Sequence, residues 1–370
     1  MSATEITLTE EQTAQRDVFI DRLLQSTAGV FDIFTVYIGD KLGFYRQLAN
    51  GDWLTSTGLA QHTGAQERYV REWLEQQTVT GILEVEDATA AANARRYRLP
   101  AGHAEVLVER DSLNYLAPLA QLAVGAVHPI SSLLEAFQHG GGVPYADYGA
   151  DFREGQAAIN RSTFLQEVGH SWFPAIPDIH ARLRQAQPPA KVADIGMGAG
   201  WSSIGLVQAY PNVLVDGYDL DEPSVEMARQ NARDAGLNGR LNFHVRDATD
   251  ADLAGQYDLV TLFEAIHDMS DPVAALRTAR RMLNEDGAVI IVDERVGNEF
   301  TATGNDVEWM MYGWSVLHCL PAGMAEQPSV GTGTVMRTST LELYAQEAGF
   351  SEVEVLPIDN FFFRVYQLKV

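Results

Sequence analysis

The sequence predicts an α/β protein in which a doubly wound, mostly parallel sheet of seven strands follows a mainly helical amino-terminal part. Three observations lead there. From residue 190 onward, short apolar runs alternate with helical stretches, a glycine-rich turn closes the first run, and only Asp359 and Asn360 separate the last two. Alternation of this kind builds parallel strands joined by helical crossovers. A link of two residues admits no crossover, so the last pair is expected as an antiparallel hairpin at the sheet edge.

Taken in order, the apolar residues Ile20, Leu23, Leu24, Phe31, Phe34 and Ile38 recur at helical spacing between Arg16 and Leu48. They predict one or two amphipathic helices whose stripe needs covering, within its own subunit or by another. Thr55 to His62 and Ala65 to Thr78 read as helices, and Ile82 to Glu86 with Arg96 to Leu99 as short strands, which is the order of a winged helix. Residues 103–186 read as mainly helical, broken at Gly140 to Pro144, until Pro188 and Pro189 mark a change. The expected domains are therefore 1–102, a helical connector and pocket segment at 103–187, and the sheet domain at 188–370. Within the last, strands are expected near 191–195, 213–219, 241–246, 257–263 and 287–293. A helix near 338–348 and strands at 352–358 and 361–369 complete it.

Composition excludes several functions. Lys and Arg number 26 against 50 Asp and Glu, for a formal net charge of -24, with no basic run to hold a phosphate backbone, so nucleic acid is not an expected partner. The single cysteine, Cys319, leaves no disulfide framework, and the start MSATEITLTEEQ has neither a basic segment nor an apolar run. No apolar segment reaches the roughly 20 residues of a membrane span. A cytoplasmic protein is expected.

The segment KVADIGMGAGWSS (Lys191 to Ser203) places an acid, Asp194, two residues before alternating glycines at Gly196, Gly198 and Gly200. Glycines where a strand turns into a helix allow close backbone approach to a ligand. Trp201 stands where a dinucleotide fingerprint needs its last glycine, three residues after the second. The segment instead resembles motif I of class I S-adenosylmethionine-dependent methyltransferases, a Rossmann-like fold. That resemblance implies S-adenosyl-L-methionine as cofactor, S-adenosyl-L-homocysteine as product, and no metal. Asp194 would accept from the ligand's ammonium, directly or through water, and amides near Gly198 to Trp201 would suit its carboxylate. Asp219, closing the second strand, would accept from both ribose hydroxyls, and Leu220 would lie against adenine. Asp247, followed by Ala248, would accept from the adenine amine, while Phe263 and Glu264 close the pocket.

The run LFEAIHDMSDP (Leu262 to Pro272) resembles a motif of plant-type small-molecule O-methyltransferases, in which the histidine is the general base. Here that is His267, with Glu294 as the acid that orients it. As plain loop and surface residues, His267 would bond neighbouring backbone, and Glu294 would join an ion network with Asp293 and Arg295. The sequence departs from the family at Met269, where tryptophan is usual, at Phe263, where lysine is frequent, and at Met336, which replaces a second acid. Asn160, Phe164 and Trp172 before the sheet, and Tyr312 and Trp314 after the fifth strand, are expected to line the acceptor site. Adjacent His318 and Cys319 have a poor spacing for one metal. The resemblance, shared with bacterial winged-helix methyltransferases, implies a homodimer formed by the amino-terminal domain. The function expected is O-methylation of a small aromatic or polyketide-like molecule. A winged-helix transcription regulator sensing S-adenosylmethionine or a metabolite is the alternative, and the same fold diverted to hydroxylation or decarboxylation is a third reading.

Overall fold

A computed structural model describes residues 8–370 apart from 238, 251, 253 and 254. The chain divides into two compact units, Met1–Val124 and Gly125–Val370.

The first unit begins with α1 (Glu10–Lys41), opened by a capping box in which Thr9 and Gln12 satisfy each other's backbone N–H. After it come α2 (Phe44–Leu48), β1 (Leu54–Thr55), α3 (Ser56–Thr63), α4 (Glu67–Val79), β2 (Glu84–Val85), β3 (Arg96–Arg98) and α5 (Ala101–Leu107). The three strands pair antiparallel in the order β1-β3-β2, the expected winged arrangement. Phe44, Tyr45, Leu59, Trp73, Leu74 and Tyr97 form its core. At Gly39, α1 passes so close to α4 that a Cβ would lie 2.4 Å from the Trp73 ring. The outer stripe of α1 is not covered by the chain itself: Ile20, Leu23, Leu24 and Phe31 are 46–64% exposed.

Next in the chain come α6 (Ala117–Ala126), α7 (Ile130–His139), α8 (Gly149–Glu167), a π-helical turn at Val168–Trp172, and α9 (Pro177–Leu183). The sheet then alternates β4 (Lys191–Ile195), α10 (Trp201–Ala209), β5 (Leu214–Asp219), α11 (Glu222–Asp234), β6 (Leu241–Val245), β7 (Tyr257–Phe263), α12 (Pro272–Met282) and β8 (Leu283–Glu294). A cap follows, made of α13 (Asp306–Trp314), a π turn at Ser315–Cys319 and α14 (Leu320–Gly323). The chain ends with α15 (Thr338–Ala348), β9 (Glu352–Val355) and β10 (Phe363–Lys369). Among the described residues no single helix is long and apolar enough to cross a membrane.

The seven strands run in the order β6-β5-β4-β7-β8-β10-β9, all parallel except β10, which is antiparallel to both neighbours. Two details differ from the expectation. β8 begins at Leu283, before residue 287, because Leu283 already pairs with Tyr257 across an irregularity in register. The first terminal strand stops earlier and the last begins later than expected, so the link is 356–362, where Asn360 Oδ1 accepts from the backbone N–H of Phe362 and Phe363 and turns the chain. The antiparallel pairing stands, with β9 at the edge and β10 inside it.

Apolar layers cover both sheet faces, one containing Phe164, Trp172, Ile204, Val225 and Phe243, the other Val260, Leu276, Ile291, Leu341 and Tyr366. Arg182 of α9 forks onto Asp258 with both bonds at 2.8 Å, and the same carboxylate accepts from Lys191 N–H at 2.8 Å. That pins the start of β4 beside β7. Gly205 lets α10 lie on α8, since a Cβ there would stand 2.3 Å from the Phe164 carbonyl oxygen. Gly205→Ala should therefore cost about 1–3 kcal/mol of stability in urea unfolding; an unchanged midpoint would show that the two helices do not pack this closely.

Candidate functional site

In a doubly wound sheet a ligand crevice opens at the carboxyl ends of the strands where the strand order reverses. That point lies between β4 and β7. The turn after β4 carries Gly196, Gly198 and Gly200 at φ 70°, 51° and 77°, a region that glycine alone enters without strain. A Cβ on Gly196 would stand 2.5 Å from Ala265 Cβ, and one on Gly200 3.0 Å from Ala228 and Phe243. At Gly198 a Cβ would meet nothing within 4 Å. Two of the glycines thus serve the protein's own packing, and the middle one faces open space.

Asp219 closes this turn from β5. Its Oδ2 accepts from Gly198 N–H at 2.8 Å and its Oδ1 from Asp221 N–H at 2.9 Å. A carboxylate has about four acceptor positions, so capacity for two further donors is left. Burial raises its pKa against these bonds. Leu220 beside it is 58% exposed, an apolar side chain with no cover from the protein. Asp221 caps α11 through Ser224 N–H at 2.9 Å and receives a bidentate Arg153 at 2.6 and 3.0 Å. Asp247 uses Oδ1 in a turn onto Thr249 N–H at 2.7 Å, with Ala248 packed against the core behind it.

Other expected residues are placed differently. Asp194 is buried and accepts from the hydroxyls of Ser202, Ser203 and Thr261 at 2.6–2.8 Å, which braces α10 against β4 and β7. Burial raises its pKa, opposed by those hydroxyls. Phe164 and Trp172 are buried in the core, their rings 5.8 and 6.0 Å from that of Phe263. Trp172 ends the π turn after α8, and these three rings pack together in the core on one face of the sheet. Asn160 donates to Glu264, whose own backbone is strained at φ 49°. Tyr312 is exposed with its hydroxyl 3.3 Å from Arg337, and Trp314 is half-buried.

His267 occupies a short helical turn after β7, fixed on its far side by Asp271, which caps α12 through Ala274 N–H at 2.8 Å. Its ring is buried among acids. Nδ1 lies 3.0 Å from both oxygens of Asp293 and 3.3 Å from Glu294 Oε2, while Nε2 lies 3.2 Å from Asp268 Oδ1. The sequence reading chose Glu294 as partner, but the hydrogen bond goes to Asp293. Glu294 Oε2 is buried and has no hydrogen bond among the described residues. A signal for Asp293 existed: it ends the apolar run Val289 to Val292 inside a covered strand, where a carboxylate requires a partner.

Burial alone would lower the histidine's pKa, but Asp293, Glu294 and Asp268 outweigh it and raise it well above the ordinary value. His267 in turn holds Asp293 below the usual carboxylate range despite burial. Burial pushes Glu294 well up and Glu264 up to about 7. The acids and the imidazole form one charged cluster at the ends of β7 and β8. Next to it, His318 stacks on Phe152 at 3.8 Å and is pushed down to about 4 by burial, and burial pushes the Cys319 thiol up to about 12.

Residues 187–332 match the family described as a methyltransferase domain, and residues 33–109 the Rv2258c-like winged HTH domain. A ubiquinone biosynthesis O-methyltransferase of Haemophilus ducreyi is 27% identical over 148 residues, 34% of this chain and 60% of that protein. The chain thus spans less than two thirds of that relative's length. The solved mitomycin 7-O-methyltransferase MmcR superposes with a TM-score of 0.70 at 19% identity, over 96% of this chain and 99% of that one. Human N-acetylserotonin methyltransferase, solved in complex with SAM, gives 0.67 at 17% identity over 98% and 99%. At such identities the likeness concerns the fold, and it extends over both units.

The acid cluster makes a direct prediction. Replacing Asp293 with Asn removes the closest negative charge from Nδ1, so the His267 pKa followed by NMR should fall by about 1–3 pH units. An unmoved titration would mean that Asp293 is not what holds the proton there.

Proposed function

We propose that this chain, which joins an Rv2258c-like winged HTH domain to a methyltransferase domain, transfers a methyl group from S-adenosylmethionine to an oxygen of a small aromatic or polyketide-like molecule. The observation that carries this reading is the turn after β4, where Gly198 faces open space and lends its N–H to an Asp219 with acceptor positions to spare. A nucleoside with two ribose hydroxyls suits that carboxylate. Leu220 offers the base an apolar face, and the second oxygen of Asp247 is free of the turn onto Thr249. When bound, S-adenosylmethionine supplies an electrophilic methyl carbon, so the protein's work is alignment and removal of a proton.

That proton falls to His267. Asp293 on Nδ1 fixes the tautomer whose Nε2 is the basic atom, and Glu294 adds negative charge behind it. A base with a raised pKa accepts only once it has itself been deprotonated, so turnover should climb with pH through that value. Asn160 and Glu264 flank the same strand end, and Tyr312 and Trp314 lie on the cap, where an acceptor would be recognised.

The regulator reading has less support. On α4, Arg68 pairs with Glu72 at 2.5 Å and Arg71 lies 3.4 Å from Glu67, so both arginines that would meet a phosphate backbone face acids of their own helix. The exposed stripe of α1 suits a second copy of this chain, giving a homodimer in the cytoplasm. Leu24→Asp combined with Phe31→Asp should then yield monomers in sedimentation, and an unchanged dimer would remove α1 from the interface.

Two measurements test the activity. Asp219→Ala should weaken S-adenosylmethionine binding about 10- to 100-fold by calorimetry, and wild-type affinity would remove the ribose assignment. In a mass-spectrometric screen of phenols and polyketides with labelled cofactor, His267→Gln should lower turnover by about 10²–10⁴ while cofactor affinity stays intact. Full turnover in that variant would sink the base.

A further inference from the structure

The proposed base has a second face that methyl transfer alone does not account for. His267 Nε2, Asp268 Oδ1 and Cys319 Sγ all lie within 4.8 Å of one another, with Nε2 and Oδ1 at 3.2 Å. Ligands held at about 2.0–2.3 Å on a tetrahedral zinc ion stand about 3.3–3.6 Å apart; the Nε2–Oδ1 pair is close to that spacing, and Cys319 Sγ lies within 4.8 Å of both atoms. The donor set of imidazole, carboxylate and thiolate is the mixture zinc prefers.

Two further observations point the same way. With Nδ1 turned to Asp293, Nε2 faces Asp268 Oδ1 at 3.2 Å, a place that the imidazole's own proton fills and that a cation can take over. Among the described residues Asp268 Oδ1 is buried and has no hydrogen bond. A carboxylate behind the histidine is also the arrangement that orients a metal-bound imidazole. On that side Asp293 already fills the role, so an ion on the Nδ1 face with Asp293 and Glu294 would have to displace it. The rest of the Asp268 side chain is 31% exposed, which gives an ion a way in.

We propose that His267 Nε2, Asp268 Oδ1 and Cys319 Sγ bind one Zn²⁺ with a fourth position open, and that the bound ion blocks methyl transfer by occupying the lone pair the base needs. Binding releases two protons to solvent, that of the thiol and that of His267 Nε2. The inhibitory half rests on His267 being the base, and the binding half does not.

Cobalt is the probe. Added to the full chain after treatment with a chelator, Co²⁺ should produce a thiolate-to-metal charge-transfer band that saturates at one ion per chain. Cys319→Ser should abolish the band and weaken Zn²⁺ binding at least about tenfold by calorimetry, and Asp268→Asn should weaken it similarly with the band retained. No band with the wild-type chain would overturn the site and leave a proton as the bridge between Nε2 and Oδ1. A Zn²⁺ affinity unchanged in Cys319→Ser would overturn it equally. Cofactor affinity and turnover of the zinc-free chain are measured separately, so a failure there would strike the proposed function and not the metal site.

Discussion

The bond from Gly198 N–H to the Asp219 carboxylate is the constraint on which the site depends. It joins the first turn of the sheet domain to the end of the neighbouring strand, and it holds only because the backbone at the turn adopts positive φ at alternate residues. The turn in turn sets the direction of α10, whose first position follows Gly200 directly. α10 packs on α8, and α8 carries Asn160 and Arg153 to the crevice. A side chain at Gly196 would collide with Ala265, two residues before His267, so the same turn also governs how closely the loop bearing the proposed base can approach.

Around His267 the protein accepts an arrangement that stability alone would not select. Asp293 and Glu294 are buried beside one imidazole, and Glu264 lies half-buried at the end of the neighbouring strand. A single buried pair is near break-even against apolar packing, and a surplus carboxylate there must take up a proton or draw in a cation. This surplus is the physical content of the raised pKa values of Glu264 and Glu294.

Much of this was legible in the chain. Apolar runs flanked by turn residues located the strands, the short terminal link implied a hairpin, and the alternating glycines marked the crevice, because each feature is decided by backbone sterics and local periodicity. What escaped depended on partners distant in sequence. Nothing local announces that Ser202, Ser203 and Thr261 surround Asp194. Nor does the spacing announce that Phe164 and Trp172 both pack on Phe263, much further along the chain. Between the neighbours Asp293 and Glu294, the choice rests on fractions of an ångström at the end of β8.

Arg153 deserves a last consideration for what it ties together. From α8 its guanidinium reaches the acid that caps α11, two residues beyond Asp219, and both partners are only 13–14% exposed. Withdrawing one would strand the other's charge in a poorly hydrated place. The helix presenting Asn160 and the corner proposed to grip the ribose are therefore fastened by one ionic rivet. Moving the first would therefore strain the second through that one pair.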